Sequence, residues 1–308
     1  MKRIGIILNA NAKQFRRGNF SPDRFKQIGA DLIDLRITST FEELDASLLN
    51  FRKAKYPYIS IAGGDGTIHH VLTRLIKIYG EKKLPAVVLL KGGTMDNIAR
   101  SVKLRGNGVA ILRRLVHTLR QGKEPEIVVR DTIRIGDRYC SLFGIGAVIN
   151  FLKEAYSGKE KGVKQNLKAV VKTIWQAIRE PDTGYLFKGV EAGIAVNGTQ
   201  IGFNHITAIL AATVKGVGLG FYPLSKALDL PGSFHALIIG INGRQIISYI
   251  LHLKNGWEIT HPLVCDVIAE KLTIRSNVKF TYTMDGDLYE ADGKLVLTAG
   301  PGIGYVRV

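Results

Sequence analysis

The run from Tyr58 to Leu72 places Gly63, Gly64, Asp65, Gly66 and Thr67 between a β-branched stretch and an apolar-periodic one. Glycines at 63, 64 and 66 let backbone N–H groups approach phosphate oxygens with no Cβ in the way. A helix beginning at Thr67 adds unpaired N–H groups and a favourable dipole. Asp65 would repel a phosphate unless a cation intervened, so its presence implies magnesium held through water, or a proton-accepting role. The plainer alternative is an ordinary strand-to-helix turn capped by Asp65 or Thr67. A second junction, from Val87 to Ser101, carries Gly92, Gly93 and Thr94, then Asp96 and Asn97. The two junctions lie about one βα repeat apart. In a parallel sheet both fall on the carboxyl edge, where they make a phosphate cradle.

The elements that must position these turns follow from periodicity. Short β-rich runs at Arg3–Leu8, Leu32–Ile37, Tyr58–Ala62 and Ala86–Lys91 alternate with helical stretches. The helices are Pro22–Ala30, Phe41–Ala54, Thr67–Tyr79, Asn97–Val102 and Val109–Gln121, with Gly80 and Gly122 as stops. This is a Rossmann-like α/β layer over residues 1–127. From residue 128 to 294 the texture becomes β-rich, with runs at Ile127–Ile135, Arg138–Phe143, Tyr185–Ile201, His205–Thr213, Phe234–Ile241, Leu272–Arg275 and Val278–Met284. That predicts an antiparallel, sandwich-like second domain. A helix over Val163–Arg179 interrupts it, with Lys164, Lys168 and Lys172 along one side, read as a solvated face or as a basic membrane-facing one. The final strands, Lys294–Leu297 and Tyr305–Val308, close the second sheet or return, over 295–308, to the first domain.

The chain has 308 residues, 46% of them hydrophobic, enough for two cored domains. Its formal charge of +17 suits polyanions, phosphorylated substrates or an anionic membrane surface without choosing among them, and nucleic acid is the less expected partner. Cys140 and Cys265 are in no metal or redox spacing and read as buried thiols of a reducing compartment. The apolar run after Met1-Lys2-Arg3 is too short for a signal peptide, and no run is long enough to span a bilayer. The expectation is a cytoplasmic protein whose membrane contact is peripheral; a homodimer is left open.

Other patterns carry less. His69 and His70 are adjacent, so they face different sides of a helix and make no metal pair. The glycine runs at 216–220 and 300–304 open no helix in a βαβ unit. No P-loop, nucleophile-elbow or zincin pattern occurs.

Taken in order, the Gly63–Thr67 turn, the Gly93-Thr94 turn, Asp131 and the Asp285-Gly286-Asp287 triplet make the whole chain resemble the diacylglycerol kinase catalytic family. That family includes bacterial lipid kinases and sphingosine kinases and belongs with NAD kinases in a wider group. The resemblance implies a Rossmann-like ATP domain, a β-rich lipid-binding domain and an active site in the cleft between them. It implies ATP contacts from Asn9, Thr40, the two glycine turns and Thr94, and a general base at Asp285. Magnesium would be supported by Asp65, Asp96 and Asp131, with Asp287 flanking the base. The sequence departs from the family at Asn9-Ala10, where Asn-Pro is usual, at His69-His70, where Asn-Glu is usual, and in the order Asp96-Asn97. The function so implied is transfer of the ATP γ-phosphoryl group to the hydroxyl of a diacylglycerol-like or sphingoid lipid. Two other readings are a kinase of a soluble acceptor, in the manner of NAD kinases, and a non-catalytic nucleotide- or membrane-binding module.

Overall fold

β1 (Ile4–Asn9) and β3 (Tyr58–Ala62) are buried along almost their whole length, as central strands of a helix-covered parallel sheet must be. The computed structural model describes residues 4–12, 15, 21–91, 97–157, 183–218 and 220–308. They fall into one unit of residues 1–130 with 301–308 and a second of residues 131–300. With β2 (Ile33–Thr38) and β4 (Ala86–Leu89), the first unit's strands run β4–β3–β1–β2, all parallel. The chain steps outward from β1 to β2 and then back past β1 to β3, so the direction of winding reverses between β1 and β3.

Each helix of this unit buries one stripe. In Phe41–Lys53 the stripe is Leu44, Leu48 and Phe51, and Phe51 covers Gly5 so closely that a Cβ there would sit 2.6 Å from its ring. In Asp65–Tyr79 it is Ile68, Val71, Leu72, Leu75 and Ile76, the spacing of an amphipathic helix, ended by Gly80 at φ 78°. On Pro22–Gly29 and Gly108–Arg120 the closest approach is at Gly29, where a Cβ would meet Val116 at 3.1 Å. Asn97–Ser101 is a further short helix among the described residues of this unit.

The second unit is a sandwich. Its six-stranded antiparallel sheet takes, in order along the chain, β7 (Leu142–Gly146), β12 (Ala208–Ala212), β13 (Phe234–Ile239), β14 (Val264–Ala269), β16 (Phe280–Met284) and β17 (Asp287–Ala291). Opposite lie β9 (Gly193–Val196), β15 (Lys271–Arg275) and the start of the long β18 (Lys294–Arg307), with β5 (Glu126–Ile135) and β6 (Arg138–Cys140) beside them. Phe143, Ile209, Phe234 and Tyr282 from one sheet pack with Ile133, Ile194, Leu272 and Leu297 from the other. The α/β layer and the antiparallel, sandwich-like domain are both as expected.

Several expected elements are corrected. Tyr185–Ile201 is no single strand: a 3-10 turn at Thr183–Phe187 precedes the short strands Val190–Glu191, Gly193–Val196 and Thr199–Gln200. Arg138–Phe143 is broken at Ser141, and the final strands are one, β18, whose residues to Gly300 belong to the second unit and from Pro301 to the first. Helices at Ala147–Ser157, Gly243–Ser248 and Ile250–Asn255, and the strands β14 and β17, were not foreseen. The cysteines are unbridged, Cys140 buried and Cys265 only partly so. The segment read as a helix over 163–179, with Lys164, Lys168 and Lys172, lies outside the described residues.

Candidate active site

Asn9 is the last residue of β1, and its Nδ2 donates to Thr67 Oγ1 at 2.9 Å. The bond joins the ends of the two strands between which the winding reverses, the place where open α/β sheets bind ligands. Asn11 adds a turn here, its N–H donating to Asn9 Oδ1 at 2.8 Å and its own Nδ2 to Ser39 O at 3.1 Å. Around these groups opens a cavity of about 190 Å³, lined by Asn9, Asn11, Thr38, Ser39, Thr40, Phe41, Thr67 and His70 with Ile7, Leu44 and Val71 beneath.

The glycine turn is shorter than the sequence implied. Gly64 is the N-cap in extended conformation, and the helix begins at Asp65 rather than Thr67, so Asp65, Gly66 and Thr67 form its first turn. Gly63 packs on Thr67, with only 2.4 Å from its virtual Cβ to Thr67 Cβ. The first-turn N–H groups of this helix, the absent Cβ at Gly63 and the hydroxyl of Thr67 lie together at the helix end, the kind of place where backbone N–H groups can meet an anion.

Thr40 caps the helix Phe41–Lys53, its Oγ1 accepting from Glu43 N–H at 3.3 Å while Glu43 Oε2 accepts from Ser39 N–H at 2.6 Å. The neighbouring Glu42 carboxyl lies below the ordinary carboxylate range because its own backbone N–H and then the Thr40 hydroxyl hydrogen-bond its charged form. Thr40 is thus both a cap and a wall of the cavity.

Sequence reasoning missed Phe41, His70 and Arg74. Phe41 meets the His70 ring edge at 5.1 Å, and the Arg74 guanidinium lies 4.3 Å from the Phe41 centroid while pairing with Asp45. The signal was available: Thr67, His70, Val71 and Arg74 fall at i, i+3, i+4 and i+7, one face of the helix. His69, one position round, is buried.

In the second unit, Asp285 and Gly286 are the two-residue loop of the hairpin that pairs Met284 with Asp287. Both adopt left-handed conformations, φ 51° and 101°, as a type I′ turn requires. Asp285 Oδ1 accepts from Ser141 N–H at 3.1 Å, Ser141 Oγ–H at 3.1 Å and Leu142 N–H at 2.9 Å. These bonds are why the strand breaks at Ser141. Asp287 opens β17, and Asp131 Oδ2 accepts from Gly232 N–H at 2.9 Å. Gly92, Gly93, Thr94 and Asp96 lie outside the described residues. Of the expected site residues, the structure gathers Asn9, Thr40 and Thr67 around one cavity, with Gly63, Gly64, Asp65 and Gly66 at the helix end beside Thr67.

Residues 3–124 match the diacylglycerol kinase catalytic domain family. No protein of curated function matches the chain. Among solved structures, a crystal structure of a diacylglycerol kinase from Bacillus anthracis str. Sterne superposes with a TM-score of 0.69 at 14% identity, covering 100% of this chain and 97% of that one. A second structure from the same organism, under a provisional diacylglycerol kinase assignment, gives 0.73 at 14% identity over 100% and 97% of the two chains. The resemblance read from the glycine turns is thus met over residues 3–124 by the diacylglycerol kinase catalytic domain, and over the whole chain these structures share the fold.

Proposed function

We propose that this chain is a lipid kinase that uses ATP and magnesium and phosphorylates the hydroxyl of a diacylglycerol-like or sphingoid lipid, working in the cytoplasm against an anionic membrane surface. The observation that carries the reading is the Asn9–Thr67 hydrogen bond, which sits in the wall of a cavity beside a glycine-started helix at the reversal point of a parallel sheet. A nucleotide is larger than about 190 Å³, since whole-ligand sites run from ~300 Å³ upward, so this cavity suits one part of it.

The residues present fit the groups required. Side chains are excluded at Gly63 by Thr67, which leaves backbone N–H groups to meet phosphate oxygens. Asn9, Thr40, Gly64, Gly66 and Thr67 would hold the nucleotide, together with Gly92, Gly93 and Thr94. Asp65 would hold magnesium through water, with Asp96, Asp131 and Asp287 as further carboxylates. Magnesium, when bound, neutralises charge on the transferring phosphoryl group. Asp285 takes the proton of the acceptor hydroxyl while that oxygen bonds to the γ-phosphorus and the bridging P–O bond to ADP breaks. Its orientation is fixed by Ser141 and Leu142, so the base is pre-positioned and costs no reordering.

The test is transfer of labelled γ-phosphate from Mg-ATP into a total lipid extract, with Asp285→Asn as control and products separated by chromatography. A labelled lipid made only by the wild type supports the reading and names the acceptor class. Labelling of a soluble acceptor instead points to an NAD kinase-like activity, and nucleotide binding with no transfer to a non-catalytic module.

A further inference from the structure

The helices Gly243–Ser248 and Ile250–Asn255 have no buried residue, although their sequence is dominated by isoleucine and leucine. A helix laid on a protein core ordinarily buries one stripe and exposes a polar one. Here Ile246, Tyr249 and Leu253 pack partly against the small core of Leu224, Leu237, Ile239 and Ile241. Beside that packed side Ile247 and Ile250 are half-buried, Leu251 is exposed, and Lys254 lies on the next turn.

Two aromatics extend this face. Leu251 and Trp257 are each 57% exposed and Tyr222 47%. The Trp257 ring stands edge-on to His252 at 5.6 Å, and Tyr222 N–H donates to Lys254 O at 3.1 Å, so both are anchored to the end of the second helix. Tryptophan and tyrosine are the side chains that settle at a membrane–water interface. The charge around them has one sign. Asp and Glu are absent from 241 to 257, which holds Arg244 and Lys254, and the next carboxylate, Glu258, is paired with Lys226 at 3.2 Å.

We infer that the outward face of Gly243–Asn255, with Trp257 and Tyr222, is a membrane-docking surface that seats its apolar stripe in an anionic lipid bilayer. An exposed leucine, tryptophan and tyrosine beside half-buried isoleucines, with Arg244 and Lys254 among them, match a bilayer with negative headgroups, which offers both complements in one plane. The inference does not depend on the kinase reading, and its test is run without nucleotide.

The full chain is made with Trp175→Phe, which leaves Trp257 as the single tryptophan of the two in the sequence. It is mixed with vesicles of phosphatidylcholine alone or with phosphatidylglycerol. With anionic vesicles, Trp257 emission is expected to shift to the blue and to be quenched by brominated acyl chains. Leu251→Glu with Ile247→Glu is expected to weaken partitioning by at least about tenfold, from loss of apolar insertion, while the far-UV circular dichroism melt is unchanged. Lys254→Glu is expected to weaken binding to anionic vesicles only. The inference is overturned by absence of vesicle binding, by binding that leaves Trp257 unquenched, or by binding indifferent to the double variant. It is also overturned if sedimentation shows that the double variant splits a dimer of the wild-type chain, since a second copy would then cover the face.

Discussion

Asn9 and Thr67 are 58 residues apart in the chain and 2.9 Å apart in space, Nδ2 to Oγ1. Neither side chain is fully buried, so the bond contributes little to overall stability and mainly sets the shape of the cavity. Asn9→Ala is expected to raise the ATP dissociation constant about tenfold, the worth of about one to one and a half hydrogen bonds at ~1 kcal/mol each, and to shift the urea midpoint little. Calorimetric titration with ATP checks it; unchanged affinity would remove Asn9 from the site.

Gly63 has no room for a side chain. A Cβ would fall 2.4 Å from Thr67 Cβ, 2.5 Å from Cγ2 and 2.6 Å from Oγ1, all within the first turn of the helix. Gly63→Ala is therefore expected to destabilise the first unit by about 1–3 kcal/mol through overpacking and to weaken ATP binding as Thr67 is displaced. Urea unfolding gives the first quantity and nucleotide titration the second.

For Asp285 the choice of variant matters. Asparagine tolerates the left-handed φ of 51° and keeps an oxygen for Ser141 and Leu142, whereas alanine loses both. Asp285→Asn is expected to lower kcat by at least about a hundredfold, the usual worth of a general base, with ATP affinity retained. Asp285→Ala should add a loss of stability. Equal turnover of wild type and Asp285→Asn would sink the proposed base.

His235, fully buried, links β13 to β14: its Nε2 lies 2.7 Å from Asp266 Oδ1, and its Nδ1 accepts from Lys226 N–H at 3.2 Å. Burial alone would raise the Asp266 carboxyl, but hydrogen bonds from His235 and the Lys226 ammonium outweigh it and hold it below its ordinary range. Depressed in the folded state, this group contributes stability above the unfolded carboxylate value of about 3.9 and loses it as pH falls through the folded value. The stability gap between wild type and Asp266→Asn should hold near neutral pH and narrow below about pH 4, by urea unfolding at several pH values.

Burial pushes the Cys140 thiol well up, with the nearby Asp285 charge adding to it, and Cys265 is raised by burial and then by Asp266. Thiolate is the reactive form, so native protein at pH 8 should react slowly with a disulfide reagent and quickly once unfolded. Mass spectrometry of the labelled peptides should show Cys265 modified before Cys140.

The first unit was legible because its signals are local. Pro22, Thr40, Gly80 and Gly122 punctuate helices whose apolar spacing is regular, and β3 was bounded correctly by the glycines that follow it. The second unit was less so. Asp285-Gly286 is the dipeptide of a type I′ hairpin turn, which implies a strand behind it, the unexpected β17. The break at Ser141 comes from a residue 144 positions away. The helices Gly243–Ser248 and Ile250–Asn255 were not legible because each has only six residues and they break at Tyr249, too short a run for an amphipathic period to show. At the site, the glycine turn could be read directly, whereas Asn9 came only through the family resemblance. The placing of His70 and Arg74 with Thr67 on one helix face follows from spacing, but their contact with Phe41 joins two helices and no sequence pattern encodes it.

The path of β18 bears on how the protein is made. Its Tyr305 pairs with Val87 beside β4, fully buried, whereas Leu295 and Leu297 pair with β15 in the other unit. During synthesis, β1 to β4 emerge early, but the neighbour of β4 arrives only after the entire 131–300 unit has been translated. Through that interval β4 has an open edge, the kind of strand that recruits wrong partners. The sheet of the first unit thus stays open at β4 until residues on the far side of the second unit have been made, although most of its own residues are translated before that unit.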